Sequence, residues 1–426
     1  MTVMAQSYLG KPFIEQKNKQ VLVYVIMGSL LCLRGLNDLF LYPAIALGVI
    51  VILFADQSIG LPFLFFILPL ANIFKFSPEQ FSFFTVLFFL FVARQFLKRG
   101  IHLSAFLSCM IFGVYLILLS GVRQSVTIIT MLAGILFVSY SISGKNNLKE
   151  ILIAYSIGLI LASILGLLQN FFPIVKNFVA DVVLRLGESE RVNRFSGLQG
   201  NPNYFTLDII MALSGIAILL FRENNRLLYI ILFIVLTVIG FLSLSKSFLI
   251  SWVVLIFFMA LYIIKSHKQR VRRLIFIMLA TIGLIYFVAA EQINEYIIRF
   301  TETIDDMSDF TTGRTDIWRG YITTIWNNLK ILFVGNGING SLVNGRGVHN
   351  TYLEAIYSLG ILGTSLFLLV LCVCFKFNTK ISEKVQFLPL IILLIRFLAI
   401  GLLTFDNLWF YLVIAVSAIA GKVQEV

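Results

Sequence analysis

Two polar stretches of this otherwise apolar chain contain the residues best suited to chemistry. The first ends with Arg194 and an Asn201-Pro202-Asn203 run, and the second contains Arg314 and His349. A guanidinium grips phosphate oxygens through forked, charge-assisted hydrogen bonds. An imidazole with its ordinary pKa of about 6.5 is mostly neutral at pH 7 and can accept a proton. Side chains of these types can bind an anion and accept a proton, although each residue alone could be an ordinary loop residue.

The neighbours of these residues could support substrate binding. The Asn-Pro-Asn run indicates a turn in which Asn203 caps the following helix, and a helix N-terminus is already an anion site. In the second stretch, Thr315 and Asp316 are expected to cap an amphipathic helix. We therefore add Asn201, Asn203, Asn350 and Trp318 to the candidate substrate-binding residues.

A third cation, Lys246, stands in the short turn Ser245-Lys246-Ser247 between two apolar runs. The turn is so short that the ammonium must lie near membrane depth. A charge there is costly and indicates function by default, although snorkelling to the interface explains it as well. Lys246 is the fifth candidate for substrate binding.

Metal chemistry is not indicated. No Asp, His or Cys residues stand at metal-ligand spacing; Asp305, Asp306 and Asp309 come closest, and a solvated face explains them. His102 and His267 are expected to be solvated residues beside basic neighbours. We expect neither a metal nor another cofactor.

The elements that position these residues must be membrane helices. The chain is 59% hydrophobic and only 13% charged, with a mean hydropathy of +0.95, whereas soluble domains carry about 25% charged residues. Its apolar runs do not alternate as barrel strands do, and a helix needs about 20 apolar residues to span the bilayer. The net charge of +12 then reflects basic cytoplasmic loops rather than nucleic-acid binding. The four cysteines predict no disulfide framework.

We predict an all-α transmembrane bundle with both termini in the cytoplasm. Basic residues alternate between loops, which gives this orientation. The expected sections are a cytoplasmic segment 1–20, helices in 21–171, an extracytoplasmic loop 172–203, helices in 204–290, a larger loop 291–350, and helices in 351–421. The fourteen spans, or twelve if the first three rearrange, are 21–34, 39–55, 58–74, 81–97, 102–121, 125–143, 151–171, 204–221, 227–245, 247–264, 274–290, 351–375, 386–404 and 407–421.

The larger loop is expected to contain amphipathic helices. Apolar residues recur at helical spacing between Ile293 and Ile304, and again between Trp318 and Leu332. Each stripe fits a helix at the membrane interface, and a helix packed on the outside of the bundle fits equally well.

Taken together, these motifs resemble the O-antigen ligase and polymerase superfamily. The likeness covers about residues 190–365 and lies in Arg194 with the Asn-Pro-Asn run, Ser245-Lys246, the stretch from Gly313-Arg314 to Trp318, and the stretch from Gly335-Asn336-Gly337 through His349-Asn350 to Gly360. The family usually has Arg where this chain has Lys246, and Lys cannot grip an oxyanion bidentately.

This resemblance implies a fold of the GT-C glycosyltransferase type and a metal-independent, inverting transfer from undecaprenyl-pyrophosphate-linked glycans. It implies that Arg194 and Arg314 stabilise the leaving pyrophosphate and that His349 acts near the acceptor hydroxyl. The implied location is the bacterial inner membrane with an extracytoplasmic site, and a flippase and a chain-length regulator are the expected protein partners.

Three functions remain open. The first is a Wzy-type polymerase that joins oligosaccharide repeat units for a capsule, exopolysaccharide or O-antigen. The second is a ligase that moves a finished glycan to another acceptor. The third is a small-solute transporter, but transporters usually carry intramembrane charges, broken helices and internal repeats. Because the sequence indicates none of these features, the transporter is the least favoured.

Overall fold

A computed structural model describes most of the chain. It covers residues 5–77, 80–100, 103–121, 124–142, 148–172, 182–186, 190–223, 227–266, 314–338, 340, 342–375, 384–405 and 407–420, with single positions at 283 and 294. The predicted span 274–290, the stripe from Ile293 to Ile304, the three aspartates near 305, and both His102 and His267 lie outside these residues, apart from those single positions.

The described residues are overwhelmingly helical, as expected of apolar segments that must satisfy their own backbone hydrogen bonds. The helices are α1 Ala5–Arg34, α2 Leu41–Phe54, α3 Gln57–Ile67, α4 Phe83–Arg99, α5 Leu103–Ser120, α6 Ser125–Ile142, α7 Leu148–Phe171, α8 Pro202–Arg222, α9 Leu227–Phe241, α10 Lys246–Ser266, α11 Arg314–Trp326, α12 Leu329–Phe333, α13 Thr351–Phe375, α14 Leu388–Phe397 and α15 Leu408–Ala420. Short 3-10 turns cover Asp38–Phe40, Leu68–Leu70 and Lys384–Phe387.

The protein is a multi-pass helical membrane protein. Within the described residues, six helices are long and apolar enough to cross a bilayer, namely α5, α6, α7, α8, α10 and α13. Shorter apolar helices accompany them. Three boundaries differ most from the prediction: α1 begins at Ala5, well before residue 21, α3 ends at Ile67, well before residue 74, and α14 ends at Phe397, well before residue 404.

One helix, α8, lies at the centre of the bundle. Every residue from Phe205 to Phe221 is buried. It packs against α7, α9, α10, α14 and α15. Because its first turn begins at the end of the first polar loop, the residues of that turn are held among several other helices.

The first polar loop contains a β-hairpin that the sequence analysis did not predict. Strand β1, Val182–Leu186, pairs antiparallel with β2, Glu190–Arg194, so that Val182 lies opposite Arg194. Strands of five residues with no clear alternation of polar and apolar side chains give too weak a pattern for prediction. The hairpin ends at Arg194 and so fixes the position from which that side chain starts.

Helix α13 is broken at Gly360, and the loop segment just after α12 packs against the break. Gly360 has φ 65°, and Gly335 in the loop has φ 94°. The amides of Asn336 and Gly337 donate to the carbonyls of Tyr357 and Ser358 (2.8 and 3.0 Å). The Gly335 and Gly360 backbones touch directly, which explains why both positions need glycine.

Alanine at Gly335 or Gly360 is expected to destabilise the protein strongly. A Cβ at either position would lie 2.5 Å from backbone of the other segment, and its positive φ adds strain of about 1–2 kcal/mol. The midpoint of thermal unfolding in detergent should fall by roughly 5 °C or more. Gly345→Ala is the matched control, because Gly345 has φ 70° but nothing within 4 Å of an added Cβ. Equal falls in all three variants would contradict the backbone contact.

The amphipathic helices α11 and α12 pack on the first turns of α13. Tyr321 and Ile325 of α11 form a separate apolar cluster with Ile331, Val348 and Tyr357. One face of these helices is therefore packed on the bundle, which is the second of the two predicted arrangements. The opposite face leaves Ile322, Trp326, Leu329 and Phe333 exposed, as an interfacial helix would.

Candidate functional site

Arg194 leaves β2 and enters the bundle at the start of α8. Its buried guanidinium donates from Nε to the carbonyl of Ser243 (3.2 Å) and from Nη2 to Oδ1 of Asn203 (3.4 Å). Ser243 belongs to the turn between α9 and α10. One arginine thus connects the hairpin, the α9–α10 turn and the first turn of α8.

The predicted cap of α8 is wrong by two residues. Asn201 is the cap: its side chain accepts from the amide of Asn203 (2.9 Å), and Pro202 is the first helical residue. Proline suits that position because its φ is already helical and it lacks the N–H that would be unpaired there. The Asn203 side chain therefore faces Arg194, and its Oδ1 also accepts from the Ser245 hydroxyl (2.9 Å).

The turn that contains Lys246 lies beside Asn203. Leu244 has φ 52°, which is rare for a branched, buried side chain and brings the chain sharply round. Ser245 then precedes α10, and Lys246 is its first residue, half-buried. The Ser245 and Ser247 hydroxyls are 3.0 Å apart. The positive end of the α10 dipole therefore points at this cluster.

A buried arginine in α14 completes the cluster, and the sequence analysis missed it. Arg396 has no exposed surface. Its Nη1 donates to the Ser247 hydroxyl (2.6 Å), and its Nη2 donates to the Asn203 carbonyl (2.6 Å) and the Thr206 hydroxyl (3.2 Å). A single charge does not interrupt a long apolar run in a hydropathy profile. The charge itself, inside a predicted span, was the signal that could have found it.

A carboxylate is also buried in the bundle, although the sequence analysis expected no charge there. Asp208 of α8 has no exposed surface. It accepts from the hydroxyls of Tyr155 (2.7 Å) and Tyr411 (2.5 Å), and from the amides of Gln199 (2.7 Å) and Asn407 (3.3 Å). These donors satisfy both of its oxygens. Asp208 therefore holds the loop before α8 and the start of α15 in place.

Arg314 is the first described residue of α11 and reaches the segment after α14. Its Nη1 donates to the carbonyl of Ala399 (2.8 Å), and burial lowers the pKa of its guanidinium, which stays charged. Thr315 and Asp316 lie inside the first turn and not before it, so they are not the caps that the sequence predicted. Asp316 instead lies 3.8 Å from Nη1 of Arg319.

His349 is at the surface in a strained backbone conformation. Its φ is 48°, a region that residues other than glycine seldom adopt and that is common at functional sites. Partial burial of the imidazole, and secondly the charge of Arg314, lower its pKa below the ordinary value. The neutral imidazole is thus favoured, and Arg314 is close enough for its charge to act on the ring.

Trp318 and Asn350 hold the backbone on either side of His349. The single N–H of the Trp318 indole donates to the Val348 carbonyl (2.9 Å), and Oδ1 of Asn350 accepts from the amide of Leu353 (3.1 Å) to cap α13. Trp318 and Asn350, both predicted to bind substrate, therefore hold the backbone that carries His349.

The segment from Leu398 to Thr404, between α14 and α15, connects the two groups of residues. Its carbonyls accept from Arg314, from Thr351 of α13 (to Ile400, 2.6 Å) and from Tyr204 of α8 (to Gly401, 3.0 Å). Glu354 accepts from the Leu403 amide (3.1 Å). Non-helical backbone inside a membrane protein needs such partners, because lipid offers none.

The candidate site therefore has two adjoining parts. One contains Arg194, Asn201, Asn203 and Lys246 around the start of α8 and α10, and the other contains Arg314, Trp318, His349 and Asn350. Arg396 and the segment after it join the two parts, because Arg314 donates to the carbonyl of Ala399, three residues after Arg396. Among the residues that the structure describes, no three His, Cys, Asp or Glu side chains are grouped to hold a metal ion.

Searches of family models, curated proteins and solved structures return no match to this chain.

Proposed function

We propose that this protein is a membrane glycosyltransferase that joins undecaprenyl-pyrophosphate-linked oligosaccharide repeat units. The observation that carries the proposal is the gathering of three arginines and one lysine, Arg194, Arg314, Arg396 and Lys246, around non-helical backbone at the ends of several helices. Positive charge collected in a partly buried place favours a polyanionic ligand.

The carboxylates near these cations are already bonded to other groups. Asp208 is surrounded by four neutral donors, and Glu354 accepts from backbone. In the described part of the chain, neither Arg314 nor Arg396 has an Asp or Glu within salt-bridge distance. A diphosphate would supply the missing negative charge and would receive charge-assisted hydrogen bonds.

In the proposed reaction, a sugar hydroxyl of the acceptor attacks the anomeric carbon of the donor. The new C–O bond forms as the bond to the pyrophosphate oxygen breaks, with inversion at that carbon. His349 accepts the hydroxyl proton, and the leaving lipid diphosphate carries away the electron pair. Arg194 and Arg314 stabilise the negative charge that develops on the diphosphate, an effect that is often the largest contribution to catalysis.

The reaction belongs on the outer face of the bacterial cytoplasmic membrane in this proposal. The basic residues of alternate short loops would lie in the cytoplasm, which puts both polar loops outside. Neither the resemblance to the GT-C type fold nor the predicted count of fourteen spans is needed for the chemistry, which depends only on the two loops and the ends of α8, α10 and α13.

The direct experiment incubates purified protein in nanodiscs with lipid-linked repeat units and sizes the products. A ladder of polymers supports polymerisation. Transfer only when a different acceptor lipid is added supports the ligase. The buried Asp208 and Arg396, together with the broken α13, remove two of the three reasons for disfavouring a transporter. Solute flux into proteoliposomes without any glycan product would overturn the proposal in favour of that class.

The rate of transfer is expected to fall on acidification with a midpoint below pH 6.5. The base must be neutral, and the pKa of His349 is lowered from 6.5 by partial burial and by Arg314, so the neutral form persists to lower pH. kcat/KM measured between about pH 5 and pH 8 gives the midpoint. His349→Gln, which cannot titrate, is the control and should lack this limb. A midpoint at or above pH 6.5 would contradict the assignment.

A further inference from the structure

Among the residues that the structure describes, Arg396 is a buried cation without an anionic partner. It has no exposed surface, and the three groups that its Nη atoms contact are a backbone carbonyl and two hydroxyls. Within the described chain its Nε has no hydrogen-bond partner, and no carboxylate lies within salt-bridge distance. Burying an uncompensated charge is costly, and buried charges are normally paired. Such a cost is explained when a ligand supplies the opposite charge.

The groups held by Arg396 are those that a ligand would meet. Its Nη1 fixes the hydroxyl of Ser247 in the first turn of α10, and its Nη2 fixes the carbonyl of Asn203 in the first turn of α8. The side chain of Asn203 in turn accepts from Arg194 and from Ser245. One guanidinium therefore sets the geometry of two helix starts and, through Asn203, of a second arginine.

The location of Arg396 also gives it an electrostatic role. Charges interact much more strongly in a buried, low-dielectric place than in water. Arg314 lies near enough for the two charges to repel, so neither arginine stabilises the other. An anion placed beside Asn203, Ser245 and the α10 N-terminus would lower this repulsion and would meet the positive end of the α10 dipole.

We propose that Arg396 is the positioning residue of a diphosphate subsite formed by Asn203, Ser245, Ser247 and the first turn of α10. This inference rests on the proposed function, and it adds a residue and a subsite that the motifs did not indicate. Arg396 does not touch the ligand. It holds the hydroxyl and the helix turns that do, and its charge attracts the diphosphate.

The test measures binding of inorganic pyrophosphate to purified protein in nanodiscs, together with donor kinetics. Arg396→Met removes the charge at similar length and is expected to weaken pyrophosphate binding about 10–100-fold, because it removes a buried positive charge near the anion and the charged hydrogen bonds that hold the Ser247 hydroxyl and the first turn of α8. The KM for the lipid-linked donor should rise by a similar factor with kcat changed less, because the lost interaction is made before the transition state. Arg396→Lys keeps the charge but not the fork that holds both helix starts, and should therefore retain more binding than the Met variant but less than wild type.

A matched control is available in α4. Arg94 is also a buried arginine that donates to a carbonyl, that of Ile52 (2.7 Å), but it contacts none of the site residues. Arg94→Met should leave pyrophosphate binding and KM unchanged even where it lowers thermal stability. Equal binding losses in the Arg94 and Arg396 variants would show a merely structural role and overturn the inference.

The remaining outcomes also decide the question. Should Arg396→Met fail to fold, Ser247→Ala tests the same subsite, since it removes the hydroxyl that Arg396 holds; a KM increase there supports the inference and an unchanged KM opposes it. If the wild-type protein polymerises glycan, and Arg396→Met binds pyrophosphate as well as Arg396→Lys does, that result overturns this subsite alone. Wild-type protein without any transfer activity overturns the proposed function instead.

Discussion

Replacing His349 by alanine is expected to slow glycan transfer about 10²–10⁴-fold, the usual contribution of a general base. The ring is the described group best suited to take a proton from an acceptor hydroxyl: it is partly exposed and favoured in its neutral form by burial and by Arg314. Its backbone has φ 48°, and Trp318 and Asn350 fix the residues on either side.

The measurement is polymer formation from lipid-linked repeat units by purified variants, with membrane insertion and the thermal midpoint as controls. Because the strained φ favours asparagine and glycine as much as histidine, His349→Asn preserves the backbone and removes the base. It should be as inactive as the alanine variant and at least as stable. Normal polymer length from either variant would show that His349 is not the base.

Replacing Arg194 or Arg314 by lysine is expected to be nearly as damaging as replacing it by alanine, with losses of about 10²–10³-fold in kcat. Each guanidinium uses part of its fork on the protein: Arg194 bonds Ser243 and Asn203, and Arg314 bonds Ala399. The flat fork is what allows one side chain to bond the protein and a diphosphate oxygen together. A lysine ammonium has the charge but not this geometry.

The control for this prediction is Arg319→Lys on the same helix as Arg314. Arg319 is exposed, and its nearest acid, Asp316, is 3.8 Å away, so its contribution to stability is small and it is not expected to bind substrate. Activity and stability should stay near wild-type values. If Arg194→Lys and Arg314→Lys also retained normal activity, neither arginine would grip the diphosphate, and the assignment of the leaving-group site would fail.

Two glycines in the motifs that carry the family resemblance have a structural explanation that the sequence did not offer. Gly335 and Gly360 lie in backbone contact at the break in α13, and the single hydroxyl proton of Tyr115 is shared between the carbonyls of Val334 and Leu359 at the same place. These contacts place the start of α13, and with it His349. The spacing of the two glycines therefore reflects a tertiary contact, and sequence spacing alone cannot distinguish that from a ligand loop.

The sequence by itself determined that this is a multi-pass helical membrane protein, because burial of backbone in lipid permits few structures and the apolar runs are long. It also singled out Arg194, Arg314 and His349, since polar residues stand out in an apolar chain. Only the tertiary structure decided that Arg396 lies with Asn203 and Ser247, and that Asn201, not Asn203, caps α8. Residues far apart in the chain meet through side-chain hydrogen bonds between helices, and the period of a single helix contains no information about its neighbours.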